Sequence, residues 1–229
     1  MARRGKKYKN VKKLQPTQVL SLEEALTSVK KLSYSKFDGT VDLNLTIKLP
    51  KDKDPKSLKG SVSLPHSTGN AEVKVAVFTS KEREAEAKKA GADMSDLEKL
   101  MTDVKAGKIE FDVAIASPDV MPQIAALGKE LGPRGLMPNP KTGTVTDDLE
   151  TAIKEYKQGK MTFKADALGN MNFKAGKVSQ TEKELIENVW ACVNAAADIL
   201  GKKPEQILQK VHLSPTMGPS VEVALVFEK

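Results

Sequence analysis

Cysteine is nearly absent from this chain: Cys192 is the one example in 229 residues. That excludes an internal disulfide and any cysteine-based metal spacing. Histidine is almost as scarce. His66 and His212 lack the sequence spacing of a metal pair, and both read as structural or surface residues, so no metal and no cofactor is expected. No apolar run approaches the length that crosses a bilayer, and no apolar segment follows the charged opening MARRGKKYKNVKKL. Neither a membrane partner nor export is expected, and a cytoplasmic location is the default reading.

What the chain has is positive charge, unevenly placed. The formal net charge is +7, but residues 1–67 carry fifteen basic against six acidic side chains, a balance of +9. Residues 68–159 carry −3 and residues 160–229 carry +1. Basic character gathered in part of a chain is the footprint of a surface for polyanions. Seven of the charges fall within the first thirteen residues. That stretch has no apolar periodicity and reads as a flexible basic arm, which composition alone equally allows to be a solubilising tail.

Two grammars follow. In TVDLNLTIKLP, Val41, Leu43, Leu45, Ile47 and Leu49 alternate with polar residues, as a half-buried antiparallel strand requires. SVEVALVFE at the far end repeats the pattern with Val221, Val223, Leu225 and Phe227. MTFKADALGNMNFKAGK reads as a hairpin turning at Gly169-Asn170. Capping boxes open two amphipathic helices, at Ser21 with Glu24 and at Thr181 with Glu184. Strands from both chain ends satisfy one another best in one sheet, so the outer segments, 1–67 and 160–229, form one discontinuous α+β domain with an antiparallel sheet.

Between them, the near-continuous apolar strands EVKVAVFTS and FDVAIASPDV alternate with helical segments. This is the signature of a parallel α/β layer, placed as an inserted Rossmann-like domain over residues 68–159. The connections fall around LPHSTGN and YKQGKM, and two crossing strands there make a natural hinge.

One stretch of the insert nearly spells a phosphate-binding loop. Gly135, Lys141 and Thr142 have the spacing, but Pro140 stands at the second glycine position, with no N–H to donate, and GTVTDD rather than a helix follows. A nucleotide-binding enzyme built on the insert is therefore the weaker alternative. Cys192, beside Trp190 and Val193 on a helix, reads as a core thiol rather than a nucleophile. No catalytic constellation emerges.

Several separated motifs then converge. LGPRGLMPNPKTGTV closely resembles the signature of the bacterial L-one family of large-subunit ribosomal proteins. YSKFDGTVDLNLTI, GSVSLPHSTG, SPDVMPQIAALGKELG and SPTMGPSV support it in the family's order, over essentially the whole chain beyond the basic arm. The resemblance implies a split α+β domain carrying a Rossmann-like insert. It implies a monomer when free that binds large-subunit rRNA and forms the mobile stalk beside the exit site. It further implies assistance to the release of deacylated tRNA, and repression of translation through the protein's own operon mRNA.

By the same resemblance, Lys36 and Phe37 match the family's Lys-Phe before the first long strand, and Thr40 and Asp42 the polar positions after it. Thr216, Met217 and Gly218 match the RNA-site triplet, with Ser220 just beyond, while Lys164 and Asp166 fall on a hairpin expected to flank the same surface. Pro215 and Gly39 depart from the pattern, standing where relatives often carry a small hydroxyl residue and an acidic residue. Thr216 is expected to exchange hydrogen bonds with a ribose 2′-OH, Lys36 to neutralise phosphate, and Phe37 and Met217 to lie against sugars and bases.

Overall fold

Alternation in the first long strand and in the last segments of the chain requires a shared apolar layer, and the computed structural model, which describes residues 5–48, 58–67 and 73–225, contains one. In chain order the elements are α1 (Lys6–Lys12), β1 (Leu20–Ser21), α2 (Leu22–Leu32), β2 (Thr40–Ile47), β3 (Lys59–Val62), β4 (Val75–Phe78), α3 (Glu84–Lys89), α4 (Leu97–Lys105) and β5 (Val113–Ala116). They continue with α5 (Met121–Ala125), α6 (Gly128–Arg134), α7 (Leu149–Lys157), β6 (Met161–Lys164), β7 (Asn170–Lys177), α8 (Glu182–Leu200), α9 (Pro204–Ile207), β8 (Leu208–Pro215) and β9 (Val221–Ala224). The chain divides into two compact units, Met1–Gly69 with Thr162–Lys229 and Asn70–Met161. Leu49, Phe227, the first four residues of the arm and the end of the first crossing (68–70) lie outside the described residues.

The outer unit is built on a five-stranded sheet in the order β1-β9-β8-β2-β7. Its ladders are antiparallel except where the two-residue β1 runs parallel to β9. Val41, Leu43, Leu45 and Ile47 of β2 share the buried face with Met171, Phe173, Val211, Leu213, Val221 and Val223. Helices α2 and α8 cover that face: α2 lies over β8 and β9, α8 over β7. Both begin with the expected capping boxes, Ser21 with Glu24 and Thr181 with Glu184. Each fully buried aliphatic side chain here contributes on the order of 2 kcal/mol, so this layer dominates the unit's stability.

Two expectations need correcting. The arm is not featureless, because Lys6–Lys12 form α1. Its sequence offers no buried face, and only Tyr8 and Val11 are partly covered. The expected 161–177 hairpin is also only a turn. Asp166 and Gly169 close it with backbone bonds, and Ala165 bridges Met171, but then the strands part. β6 pairs with β3 in a separate two-stranded sheet, while β7 joins β2.

In the inserted unit β4 and β5 pair in parallel, Val75 opposite Val113 through Phe78 opposite Ala116. Single parallel bridges add Met94 beside Ala76 and Val145 beside Ala116. Because successive strand residues face opposite sides, Ala76 and Phe78 pack with Leu100, Val104, Ile124 and Leu131, whereas Val75 and Val77 pack with Leu149, Ile153 and Tyr156. Burial on both faces explains why these strands read as unbroken apolar runs.

Asn188, fully buried on α8, ties the outer unit together. Its side chain accepts from the His66 amide at 3.1 Å and donates to the His66 carbonyl at 3.1 Å and the Ala175 carbonyl at 2.7 Å. Asn188→Ala leaves those backbone groups without partners and is expected to cost about 2–3 kcal/mol, read as a lower urea midpoint at unchanged slope.

Candidate nucleic-acid interface

α2 ends at Leu32, and the chain then loops through residues 33–39 into β2. Hydrogen bonds from three directions hold this loop. The Asp38 carboxylate accepts from the Ser179 amide at 3.1 Å and the Ser179 hydroxyl at 2.7 Å, the Val178 amide donates to the Gly39 carbonyl at 2.9 Å, and the Ser35 hydroxyl donates to the Phe37 carbonyl at 3.0 Å. Against it sits the Pro215–Gly218 turn, closed by the Gly218 amide donating to the Pro215 carbonyl at 2.9 Å. Thr216 joins the two. Its amide donates to the Thr40 carbonyl at 2.9 Å, its hydroxyl accepts from the Thr40 amide at 3.0 Å, and the same hydroxyl donates to the Thr40 carbonyl at 3.1 Å. The Tyr34 hydroxyl adds a bond to the Met217 carbonyl at 2.8 Å.

This stitching leaves two apolar side chains in solvent on neighbouring loops: Phe37 is 58% exposed and Met217 66%. Lys36 is exposed beside Phe37. Met217 also has a φ of 70°, the one non-glycine residue with positive φ among the described residues. That conformation costs a non-glycine side chain on the order of 1 kcal/mol and is held here by the closed turn and the Tyr34 bond. At Gly218 a Cβ would lie 2.5 Å from Pro215 Cγ and 3.1 Å from the Leu32 carbonyl oxygen, so the turn seats against the end of α2 only with glycine there.

The structure reassigns Thr216. Its hydroxyl proton is spent on the Thr40 carbonyl, so the side chain is a clamp with one lone pair left to accept, rather than a group free to exchange hydrogen bonds with a ribose. Ser220 is exposed just past the turn, and its carbonyl accepts from the Gln15 side chain at 2.7 Å.

From Thr40 the open face of the sheet runs away from this end. Thr40 and Asp42 are both partly exposed, and Asp42 stands between Lys174 and Ser214 in the register. Partial burial raises the Asp42 carboxyl above its ordinary range, while Lys174 pulls it back down. The next polar rows are Asn172, Asn44 and His212, then Asn170, Thr46 and Lys210, with Glu222 opposite His212 and 3.6 Å from Lys210. Sequence reading missed Lys174, Asn172, Asn44, Ser214, His212 and Lys210 as a surface. Their signal was the polar half of each alternating strand. Tyr34 opens the motif YSKFDGTVDLNLTI, but nothing in the sequence marked its bond to the Met217 carbonyl.

Lys164 and Asp166 do not flank the Phe37 and Met217 end. The 166–169 turn lies beside Ile47, whose amide donates to the Gly169 carbonyl at 2.9 Å, with Asn170 opposite Thr46. The eight residues of β2 thus separate the two ends by roughly 20 Å at about 3.3 Å per residue. The reason is the antiparallel register, which starts β7 at the Ile47 end of β2 and ends it beside Thr40. The Asp166 carboxylate is committed to the turn, accepting from the Leu168 amide at 2.9 Å, the Asn170 amide at 2.8 Å and the Asn170 side chain at 3.0 Å. These bonds, those from Asn170 foremost, lower its pKa. Lys164 projects from β6, exposed.

The near-phosphate loop of the insert closes on itself. The Lys141 amide donates to the Asn139 side chain, the Thr142 and Thr144 amides to the Asn139 carbonyl and the Gly143 amide to the Pro140 carbonyl, while the Thr142 hydroxyl is buried against Asn139 and Thr144. A phosphate cradle needs those N–H groups pointing outward, and here they are used within the loop. Cys192 is fully buried, which pushes its thiol up to about 12 and removes it as a nucleophile. No cluster of His, Cys, Asp and Glu able to hold a metal ion occurs among the described residues.

Met217→Gly relieves the left-handed backbone and is expected to stabilise the protein by about 1 kcal/mol while removing the exposed thioether. A lower thermal midpoint for this variant would show that the side chain contributes packing instead.

Comparison with known proteins shows the family to which the chain belongs. The family described as Ribosomal protein L1p/L10e matches residues 29–219, which spans β2, the insert and the Thr216–Gly218 turn. The chain is 43% identical to proteins named Large ribosomal subunit protein uL1 from Thermosipho melanesiensis and Thermosipho africanus, in each case over 97% of this chain and 97% of the relative. It is 41% identical to the protein of that name from Nitratidesulfovibrio vulgaris, over 97% of this chain and 95% of the relative. With the match running through both units and the loops that stitch β2 to β8, the chain belongs to the Ribosomal protein L1p/L10e family.

Proposed function

We propose that this protein is a structural constituent of the large ribosomal subunit, not an enzyme, and that its outer unit binds large-subunit rRNA. The observation that carries the reading is the pairing of exposed Phe37 and Met217 on two loops locked together through Thr40 and Thr216, at the head of a polar sheet face. Burying neither aromatic nor thioether within the chain, and holding Met217 in a costly conformation, makes sense where a ligand supplies the missing contact.

The chemistry suits irregular RNA. Its major groove is too narrow to read, so recognition falls on shape, sugar hydroxyls and exposed bases. Phe37 and Met217 offer apolar surface to sugars and bases, Lys36 and Lys174 answer phosphates, and Asp42 and Ser214 meet 2′-OH groups or base amines. Gly218 lets the backbone come close, and Ser220 extends the turn. Lys164 and Asp166 belong to this surface only for an RNA long enough to follow the open face of β2. As in the family the chain resembles, the bound protein forms the mobile stalk near the exit site and assists the release of deacylated tRNA. The inserted unit repositions on its two crossings during that release. The free protein, a cytoplasmic monomer, represses translation of its own operon mRNA by binding a mimic of the rRNA site.

Met217→Asp puts an anion against RNA phosphates and is expected to weaken binding of an rRNA fragment by a few kcal/mol, roughly, in a filter-binding titration. Unchanged affinity with intact folding removes Met217 from the interface. A protein joining residues 1–67 to 160–229 by a short linker is expected to keep most of the rRNA affinity, and equally tight binding by the isolated 68–159 segment overturns the assignment to the outer unit.

A further inference from the structure

We infer that α1 is a rooted phosphate-binding arm, extending the RNA interface past the Met217 turn; this rests on the RNA-binding reading given above. The helix carries Lys6, Lys7, Lys9 and Lys12, with Lys13 next, and no acidic residue. All five lysines are exposed, no residue of the helix is buried, and its N-terminus has no side-chain cap. Lys6 and Lys7 even stand at the positive end of the helix dipole, where cations are unfavourable, and like charges recur at spacings of three and four. Among the described residues no carboxylate forms an ion pair with these lysines. A polyanion offsets their charge by exchanging its condensed counterions for the lysines.

Placement distinguishes α1 from a solubilising tail. The Gln15 side chain donates to the Ser220 carbonyl at 2.7 Å, and Leu20–Ser21 pair in parallel with Val223–Ala224. The segment leaving α1 is therefore fixed along β9, and the helix ends three residues from its anchor. That anchor lies three residues beyond Met217. Tyr8, Val11 and Gln15 form the partly covered line of the arm, and the lysines lie outside it. An RNA seated on Phe37 and Met217 thus meets the lysines along its adjoining backbone, where phosphates rather than bases are presented. The sheet-face residues specify the RNA, and α1 adds affinity that depends on salt.

The test compares the full-length protein with its K6Q/K7Q/K9Q/K12Q/K13Q variant on a large-subunit rRNA fragment and on an unrelated RNA of equal length, across a salt series. Each neutralised phosphate contributes about 0.7–0.9 to the slope of log affinity against log salt, so with all five lysines on phosphates the variant's slope on the rRNA fragment is expected to fall by about 3.5–4.5. Its thermal midpoint is expected to stay unchanged. An unchanged slope overturns the inference, as does an equal affinity loss on both RNAs, which describes an unrooted tail. Gln15→Ala keeps every lysine and is expected to weaken binding to the rRNA fragment several-fold while leaving the unrelated RNA unaffected; no effect on the fragment overturns the rooting. If the unaltered protein shows no preference for the rRNA fragment, the RNA-binding reading itself fails, an outcome distinct from all of these.

Discussion

The pairing of β2 with β8 is the constraint on which the outer unit depends. From Val41 opposite Pro215 to Ile47 opposite Leu208, it joins segments more than 160 residues apart in the chain. The central ladder buries Leu43 against Leu213 on one side and displays Asp42 beside Ser214 on the other. Its last rung delivers Thr40 to Thr216, and with them the two loops that carry Phe37 and Met217. A sheet closed by local hairpins would need no such return of the chain. The long-range register therefore stabilises the unit and brings the Phe37 and Met217 loops together with the same hydrogen bonds.

Much of this was legible in the residues, for a physical reason. Strict alternation in β2 and β9 can satisfy only a sheet with one wet face, and capping boxes name their helix starts outright. The apolar runs of β4 and β5 likewise declared strands covered on both sides. What stayed hidden depends on tertiary choices. Gly169-Asn170 signals a turn but does not say that β6 will leave β7 for β3. The Thr216 hydroxyl looks the same in sequence whether it faces ligand or backbone. α1 has neither an apolar stripe nor a cap, so the rules that found the other helices had nothing to act on.

The inserted unit shows how a motif can mislead by spacing alone. The Asn139 carbonyl gathers the amides of Thr142 and Thr144 together with their hydroxyls, and the buried Tyr156 hydroxyl fixes the Thr142 carbonyl at 3.0 Å. The result is a stiff knot whose donors face inward. Its exposed member, Lys141, stands on this hydrogen-bonded backbone, its amide donating to the Asn139 side chain.

The outer sheet ends in β1, only two residues long, and in β7, whose outward-facing row includes Lys174 and Lys177. Open strand edges are templates for uncontrolled strand addition, and short or lysine-bearing edges blunt that tendency. The chain thus carries its own protection against aggregation, and one of the lysines that supplies it, Lys174, lies on the open polar face of the sheet, opposite Asp42.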